Sequence, residues 1–480
     1  MMNHYLTLTY MILAYTIAGL LFVNRSKSWN YSLISLFAIL QLGFTVFACS
    51  QYNMTTLDFF KFDALGIILL ATLSIISIPV FYHSYVYIEL HQTSPSVRAI
   101  YFAALVILIT SIALAYLANH IAVMWIFAEL TTLAASGLIY HHRNKLALEG
   151  TWKYVFICAI SITFVFIGIL FLSLALHQTG SSDLSYDNLL ANVDQLNPFW
   201  LRLAFLFIFT GFTAKLGLVP MYTAGIDAKD KAPGPAAALL SSVLMNMGFA
   251  GIFRTYVVIA NSPIHHWANL VIFIAAFLSV FVAMVYMTKV MNIKRMFAYS
   301  GIEHMGLVML GLAAGGVGYY AAILHVVLHA FVKSALFLQY NQIYRVFQNK
   351  SIYYLGNYFK YNPAGALVLL FGFISATAMP PSGLFVSEFL IFRSLFEAHY
   401  IALLIAVLLV LTVIIWAFGK NVVKILFTPV VGFDERNLPK ISPWESLSQY
   451  ILLACAVWLG LNPPPQFVNL IEETIKLLPV

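Results

Sequence analysis

The chain has 480 residues, of which 62% are hydrophobic and only 9% are charged, and its mean hydropathy is +0.89. A soluble protein of this length carries far more surface charge, so a soluble enzyme or binding domain is excluded. The formal net charge of +7 does not indicate nucleic-acid binding, because the sequence has no basic patch with interleaved aromatic residues. The composition predicts a polytopic membrane protein.

Apolar stretches of roughly 20 residues, the length of one membrane crossing, recur along the whole chain. The expected fold is an all-α polytopic membrane protein, because helices satisfy their own backbone hydrogen bonds in lipid. About fourteen spans of this length are expected. In chain order they are 5–23, 30–49, 64–86, 99–117, 119–140, 151–176, 200–222, 236–260, 266–288, 297–315, 317–341, 365–397, 401–425 and 446–462.

Lysine and arginine are concentrated in the loops that follow odd-numbered spans, whereas the loop 177–199 contains three aspartates and neither basic residue. Short loops rich in lysine and arginine remain in the cytoplasm. The charge distribution therefore predicts that both chain termini face outward. The first stretch, 1–23, lacks a basic leading region and is interpreted as a membrane helix rather than a cleaved signal.

Four ionisable residues lie inside predicted spans: Glu129, Lys215, Lys333 and Glu388. Burying such groups at membrane depth is costly, so each is a candidate for an ion path. Simpler roles are also open. Glu129 could reach the membrane interface, Lys215 could form a static ion pair, and Glu388 could satisfy a helix start.

Two of these charges accompany proline breaks in apolar stretches. Lys215 precedes Pro220 by five residues, and Glu388 follows Pro380-Pro381 by seven. The two interrupted spans are five spans apart and so have opposite orientation. This arrangement predicts two inverted five-helix repeats, each with a discontinuous helix at the transport site.

A row of titratable residues, His325, His329 and Lys333, has the four-residue spacing that places all three on one helix face. The row covers about 12 Å of membrane depth at 1.5 Å per residue. Histidine exchanges protons near neutral pH, so the row is interpreted as a proton wire. A zinc site is a weaker alternative, since only two of the three residues are good zinc ligands.

Several other polar residues are weaker candidates. Lys153 lies near a predicted helix end, and the adjacent Glu303 and His304 could instead form a structural network with the nearby basic residues. The mixed-charge segment 227–231 is most simply a solvated connection. No metal, cofactor or catalytic residue is expected, because Cys49, Cys158 and Cys455 form no CxxC pair and no nucleotide-binding loop is present.

Most of the ionisable residues named above lie in the stretches AELTTL, GFTAKLGLVPMYTAGIDAKDKAP, KRMFAYSGIEHMG, LHVVLHAFVKSALF and PPSGLFVSEF. Through these stretches the chain resembles the antiporter-like membrane subunits of respiratory complex I and membrane-bound hydrogenases. The resemblance covers nearly the whole chain and is strongest from about 119 to 400. Within that family, the chain is most similar to the hydrogenase-4 component F branch of the formate hydrogenlyase membrane arm.

The resemblance implies a single membrane domain, with a first five-helix unit at 98–260, a second at 264–425, and flanking helices at 1–97 and 426–480. It implies a cytoplasmic (inner) membrane location in a bacterium or archaeon. It also implies a central polar axis through Glu129, Lys215, His325, His329, Lys333 and Glu388, with Glu129 and Lys215 as a switching pair. Where complex I subunits carry a lysine on the eighth helix, this chain has Asn246, which cannot hold a proton.

The expected function is proton translocation, or alternatively sodium translocation, by a subunit of a redox-driven complex. The chain itself would hold no redox site. Iron–sulfur centres, and possible NiFe centres, would lie in a soluble redox arm that joins other membrane-arm subunits. One alternative is a subunit of a cation/proton antiporter or ion-driven solute importer without a redox partner. Another is a structural membrane anchor with a closed path, for which Asn246 is the best argument.

Overall fold

The computed structural model describes residues 5–430, 432–436 and 438–479, and these residues are almost entirely helical. One short antiparallel hairpin, β1 (Thr55–Thr56) and β2 (Phe60–Lys61), pairs Thr55 with Lys61. The helices are α1 (Leu6–Val23), α2 (Lys27–Ser50), α3 (Ala64–Leu90), α4 (Pro95–Leu117), α5 (Ile121–Ile139), α6 (Lys145–Leu176), α7 (Tyr186–Ala191), α8 (Pro198–Leu216), α9 (Thr223–Lys231), α10 (Gly234–Ser241), α11 (Val243–Ala260), α12 (His265–Lys289), α13 (Ile293–Ala314), α14 (Val317–Phe347), α15 (Tyr358–Tyr361), α16 (Pro363–Ala376), α17 (Gly383–Glu397), α18 (Ile401–Phe427), α19 (Leu447–Leu461) and α20 (Pro465–Ile475).

Within the described residues, 13 helical segments are long and apolar enough to cross a membrane. The prediction of an all-α polytopic membrane protein is confirmed. The predicted span 365–397 is the one that this count leaves out, because it is divided into α16, with 14 residues, and α17, with 15 residues. The short, glycine-rich span predicted at 297–315 corresponds to α13, whose most apolar 18 residues are all buried.

Both predicted interruptions are present in the structure. Helix α8 ends at Leu216, and α9 begins at Thr223 after a segment that contains a cis Val219–Pro220 bond. Helix α16 ends at Ala376, and α17 begins at Gly383 after a cis Pro380–Pro381 bond. Proline cannot donate the backbone hydrogen bond that would continue a helix, which explains the position of each break.

The chain divides into two compact units. The first comprises residues 1–236, 243–271 and 466–480, and the second comprises residues 237–242 and 272–465. The first unit contains α1–α9, α11, nearly all of α20 and the starts of α10 and α12, and the second contains α13–α19 with most of α10 and α12.

In the first unit, close packing of α6 against α8 positions the end of α8. A β-carbon added at Gly211 would lie 2.5 Å from the carbonyl oxygen of Ser161, so only glycine permits this approach. Small residues are the usual means by which membrane helices approach closely.

A buried ion pair further organises the first unit. Arg254 of α11 donates two hydrogen bonds, of 2.7 and 2.8 Å, to Asp63 at the start of α3. It also donates to the backbone oxygen of Tyr116 at 2.7 Å. The Asp63 carboxylate in turn accepts from the backbone amide of Gly66 and so caps α3. Arg254 is therefore a structural charge that joins three helices.

In the second unit, α13, α17 and α19 pack around α14, which is buried along its membrane-spanning length. A β-carbon on Gly318 would lie 2.2 Å from the carbonyl oxygen of Gly311, so the two helices approach closely near the loop that joins them. The start of α17 is equally close to α19, where Gly383 meets Gly460. These contacts bring polar residues of three helices together.

Candidate functional site

Lys215 lies in the last turn of α8, directly before the break. Gly217 ends the helix in a left-handed conformation, with φ of +86°, and its amide bonds to the carbonyl of Thr213 at 2.7 Å. The carbonyl end of a helix carries partial negative charge and stabilises a nearby cation. The helix break therefore places an ammonium group where the local backbone favours it.

The Lys215 side chain is only 5% exposed, and its hydrogen bonds go to hydroxyl groups. Its ammonium nitrogen donates to Thr132 at 2.7 Å, to Thr131 at 3.1 Å and, more weakly, to Tyr154 at 3.5 Å. The ammonium also lies 5.6 Å from the centre of the Tyr154 ring, a distance at which cation–π attraction contributes. Three neutral oxygens and a ring thus hold one buried cation.

Glu129 belongs to the same cluster in the first unit. It lies on α5, one turn before Thr132, and interacts electrostatically with Lys215. Its Oε2 atom is buried and has no hydrogen-bond partner among the described residues. The two threonine hydroxyls that hold Lys215 come from the same helix as Glu129, so α5 supplies both the carboxylate and the neutral ligands of the lysine.

The segment predicted to be a solvated connection, 227–231, is largely buried, and that interpretation is wrong. It forms the end of α9, with Lys229 2% exposed and Asp230 4% exposed. The Lys229 ammonium nitrogen lies 3.1 Å from the sulfur of Met245 on α11. The high charge of the segment predicted exposure to solvent, whereas the helices of the first unit pack around it and bury it.

Asn246 follows Met245 on α11 and is completely buried. Neither atom of its side-chain amide has a hydrogen-bond partner among the described residues. A buried amide of this kind normally binds water or a protein group, because leaving it unsatisfied costs on the order of 1–3 kcal/mol. The ammonium nitrogen of Lys229 lies 3.1 Å from the sulfur of Met245, the residue before Asn246. Lys229 thus places a basic group near the position on α11 where the resemblance predicts a lysine.

In the second unit, His325, His329 and Lys333 lie on α14 and are fully buried. Lys333 donates to the hydroxyl of Ser300 at 2.7 Å and approaches the backbone oxygen of Phe297 at 3.4 Å. It also interacts electrostatically with the Glu303 carboxylate. A buried lysine beside a buried carboxylate is the kind of pair that membrane interiors tolerate.

His304 has a more central place than the sequence indicated. Its Nδ1 atom lies 3.0 Å from Nε2 of His325, and its ring centre lies 5.3 Å from that of His329. The α13 imidazole is thus placed against both α14 imidazoles. Only the packing of α13 on α14 reveals this role, since the sequence separates His304 from His325 by 21 residues.

Glu388 joins this cluster from α17. Its Oε1 atom lies 3.7 Å from Nδ1 of His304, and its side chain is 9% exposed. The preceding residue, Ser387, has its hydroxyl 2.9 Å from Nδ1 of His325. Glu388 lies beyond the first turn of α17, whose start is capped instead by the Ser382 hydroxyl. The helix-start role considered for Glu388 is therefore filled by Ser382.

Buried polar residues of α14 also follow Lys333. Gln339 donates to the hydroxyl of Tyr358 at 2.8 Å, and Gln342 accepts from Asn362 at 2.9 Å and from Ser446 at 3.0 Å. Sequence inspection missed this network, because at about 100° per residue Gln339 stays near the face of His325 whereas Gln342 lies opposite Lys333.

Arg345 lies one turn further along α14 and pairs with Glu445. From His325 to Arg345 the polar residues extend about 30 Å along the helix. This distance is comparable with the thickness of the hydrocarbon core of a bilayer.

Lys153 lies at the edge of the first-unit contacts, with its ammonium nitrogen 4.0 Å from the Asp227 carboxylate. Its side chain is 52% exposed and pairs with Glu149 at 2.5 Å, one turn earlier on α6. Of the predicted residues, the structure brings Glu129 and Lys215 together in the first unit. It brings Glu303, His304, His325, His329, Lys333 and Glu388 together in the second.

The family model for the NADH:quinone oxidoreductase/Mrp antiporter transmembrane region matches residues 118–414. The hydrogenase-4 component F homolog of Methylacidiphilum infernorum (isolate V4) is 28% identical over 483 residues, covering 97% of this chain and 99% of that protein. A chain of the membrane-bound sulfane sulfur reductase, an archaeal respiratory membrane complex, has a TM-score of 0.85 at 19% identity, covering 99% of this chain and 97% of that one.

A chain of the Mrp complex from Dietzia sp. DQ12-45-1b has a TM-score of 0.84 at 14% identity, covering 99% of this chain and 98% of that one. These structural likenesses confirm the fold, and the relative confirms the predicted resemblance to the hydrogenase-4 component F branch. The chain belongs to the NADH:quinone oxidoreductase/Mrp antiporter transmembrane family, as an antiporter-like membrane subunit.

Proposed function

We propose that this chain translocates protons as a membrane subunit of a redox-driven complex of the complex I or membrane-bound hydrogenase type. The observation that carries the proposal is the series of polar residues along α14 in the second unit, which are buried from His325 to Gln342 and end at Arg345. Ionisable residues at membrane depth are costly to keep, and a row of them on one helix is explained by proton passage.

The residues of the second unit suggest an order of transfer. Arg345 and Glu445, with the glutamine network, would admit water at the predicted cytoplasmic end of α14. Lys333 would exchange protons with that water, and the imidazoles of His329, His304 and His325 would carry them onward. Histidine suits this step because one ring nitrogen can accept a proton while the other releases one. Glu388, the least buried member of the cluster, would pass protons outward.

The cluster of the first unit would act as the switch. While Lys215 is bound by Thr131 and Thr132, it is held by neutral oxygens rather than by the carboxylate of Glu129. A small displacement along α5 would exchange those hydroxyl contacts for an ion pair. Because an adjacent carboxylate favours the charged form of a lysine, that exchange would change the proton affinity of Lys215.

Lys229 is proposed to replace the lysine that is absent at position 246. Its ammonium group is buried next to Met245, and Asn246 offers an unsatisfied amide that suits a bound water. A lysine carried by α9 instead of α11 would keep a proton-holding group in this region. If Lys229 holds a proton there, the absence of a lysine at position 246 does not require a closed path.

We expect Lys229→Met to lower proton transport by roughly 10-fold or more, because removing a proton-carrying group typically costs at least that factor. Adding Asn246→Lys to this variant should restore part of the transport, because it returns a lysine to α11. Proton uptake by vesicles that contain the complex measures both effects. Full activity of Lys229→Met would remove Lys229 from the path, and failure of Asn246→Lys to rescue would show that the two positions are not equivalent.

The complex is proposed to include other membrane-arm subunits and a soluble redox arm that holds the iron–sulfur, and possible NiFe, centres. The predicted topology, with termini outside and inverted five-helix units at 98–260 and 264–425, forms part of the same proposal. Support comes from the two proline breaks and from the family to which the chain belongs.

Purification of the full chain in mild detergent tests the proposal. We expect iron–sulfur subunits to co-purify, and the reconstituted complex to pump protons when an electron donor and acceptor are supplied. Co-purification with membrane subunits that lack redox centres, together with cation/proton exchange, would favour the antiporter or importer alternative. A complex that is redox-active but moves no ion would favour the anchor.

A further inference from the structure

Three potential metal ligands converge in the second unit. Nδ1 of His304, Nε2 of His325 and a carboxylate oxygen of Glu388 all lie within 4.8 Å of one another. The His304–His325 nitrogen distance is 3.0 Å, and the His304–Glu388 distance is 3.7 Å. Neighbouring ligands of a tetrahedral zinc ion, with bonds of about 2.0–2.1 Å, lie about 3.3 Å apart. The observed spacings bracket that value.

The surroundings of these ligands match those of a metal site. Nδ1 of His325 is hydrogen-bonded to the Ser387 hydroxyl at 2.9 Å, which leaves Nε2 directed at the cluster. Metal-binding histidines usually have their second nitrogen held in this way, which fixes the ring orientation. The three ligands come from three different helices, α13, α14 and α17, which are packed closely against one another.

We propose that His304, His325 and Glu388 form a binding site for a divalent transition-metal ion of the Zn²⁺ type. Two imidazoles and one carboxylate form a ligand set that suits zinc, and three protein ligands leave a fourth position for water. The sequence pointed elsewhere, because α14 alone offers His325 and His329. In the structure, the second histidine of the ligand set is His304 rather than His329, and Glu388 is the third ligand.

The chemistry of the site favours a reversible inhibitor rather than a resident ion. The ligand nitrogens are those that the proposed function uses to carry protons, so a bound ion and a transferring proton would compete for the same lone pairs. The effect on transport rests on the proposed function, whereas metal binding itself does not. Entry is expected at Glu388, the less buried of the Glu388–His304 pair, with 9% of its side chain exposed.

Titration of the purified full-length protein with Co²⁺ tests the site, because a tetrahedral Co²⁺ complex absorbs visible light strongly. We expect one Co²⁺ bound per chain with a tetrahedral spectrum, and displacement of that ion by Zn²⁺. Glu388→Gln and His304→Asn should each weaken binding by more than roughly 100-fold, since even the loss of a supporting residue around a metal typically costs 10- to 100-fold. Ser387→Ala should cost about 10-fold on the same basis.

Two matched variants keep the result interpretable. His329→Asn alters the same cluster without removing a ligand and should retain Co²⁺ affinity. His399→Asn removes an exposed histidine of the same unit and should also retain it. Equal affinity in the wild type and in Glu388→Gln, or an octahedral Co²⁺ spectrum, would overturn the proposal. Glu388→Gln preserves the shape of the side chain. It therefore still tests whether the site binds the metal ion even if His304→Asn fails to fold.

A second measurement separates this proposal from the proposed function. In vesicles, Zn²⁺ should inhibit proton uptake by the wild type, and Ser387→Ala should require about 10-fold more Zn²⁺ for the same inhibition. If the vesicles show no proton transport but Co²⁺ binds as expected, the metal site stands and the transport function fails. Transport that Zn²⁺ leaves unchanged while Co²⁺ is bound would show that the triad lies off the proton path.

Discussion

Substituting Lys215 by methionine is expected to abolish proton transport while leaving the folded protein intact. Methionine matches the length of the lysine side chain and needs no hydrogen-bond partner, so it suits the buried position. Thr131 retains its own bond to the Ala128 carbonyl, at 2.6 Å, when the ammonium is removed. The loss should approach 100-fold, as is typical for removal of a group that gives and accepts protons. Proton uptake in vesicles, measured against protein content, reports this loss.

Lys145→Met is the matched control for this experiment, because Lys145 is an exposed lysine of the first unit at the start of α6. It should transport protons at the wild-type rate. Wild-type transport by Lys215→Met would contradict the switching role and favour the structural anchor. A Lys215→Met protein that no longer assembles with its partners would indicate a purely structural ion pair.

A substitution at Lys333 should affect both transport and stability. The Lys333 ammonium interacts with the buried Glu303 carboxylate, so Lys333→Met leaves that carboxylate without its cation. Removing one partner of a buried pair costs on the order of 3–5 kcal/mol. We expect a lower melting temperature in detergent together with loss of proton transport. The double variant Lys333→Met/Glu303→Gln removes both charges and should regain most of the lost stability but none of the transport.

The decisive observation is that the double variant regains stability without regaining proton transport. If the double variant regained transport along with stability, Lys333 would be a structural residue only. Lys289→Met provides the control, because Lys289 is exposed at the end of α12 in the same unit. Its melting temperature and transport should both equal those of the wild type.

Much of the fold could be predicted from the sequence because hydropathy and helix breaks are local properties. Stretches of about 20 apolar residues must form helices in lipid whatever lies next to them. Prolines at 220 and 380–381 end their helices through their own missing hydrogen-bond donors. About fourteen spans are predicted, whereas 13 helical segments of the described residues are long enough to cross a membrane. The difference arises at 365–397, where the break leaves two helices that are each too short to count as a span.

The candidate site could be predicted only in part. The buried positions of Lys215 and Lys333 follow from charge within apolar sequence, and both are buried as expected. The residues that contact these lysines could not be predicted from the sequence. The threonine hydroxyls around Lys215 lie 83 and 84 residues away along the chain, and His304 meets His325 across two helices. Lys229 is buried, although the charged residues around it in the sequence predicted a solvent-exposed segment.

The sequence by itself determined that this protein is a bundle of membrane helices with titratable residues at membrane depth, because the free energy of placing each residue in lipid depends mainly on that residue and its close neighbours. Only the tertiary structure decided which of those residues meet. The meeting of His304, His325 and Glu388 depends on how three helices rotate and pack against one another, and that packing is set by shape complementarity between distant segments.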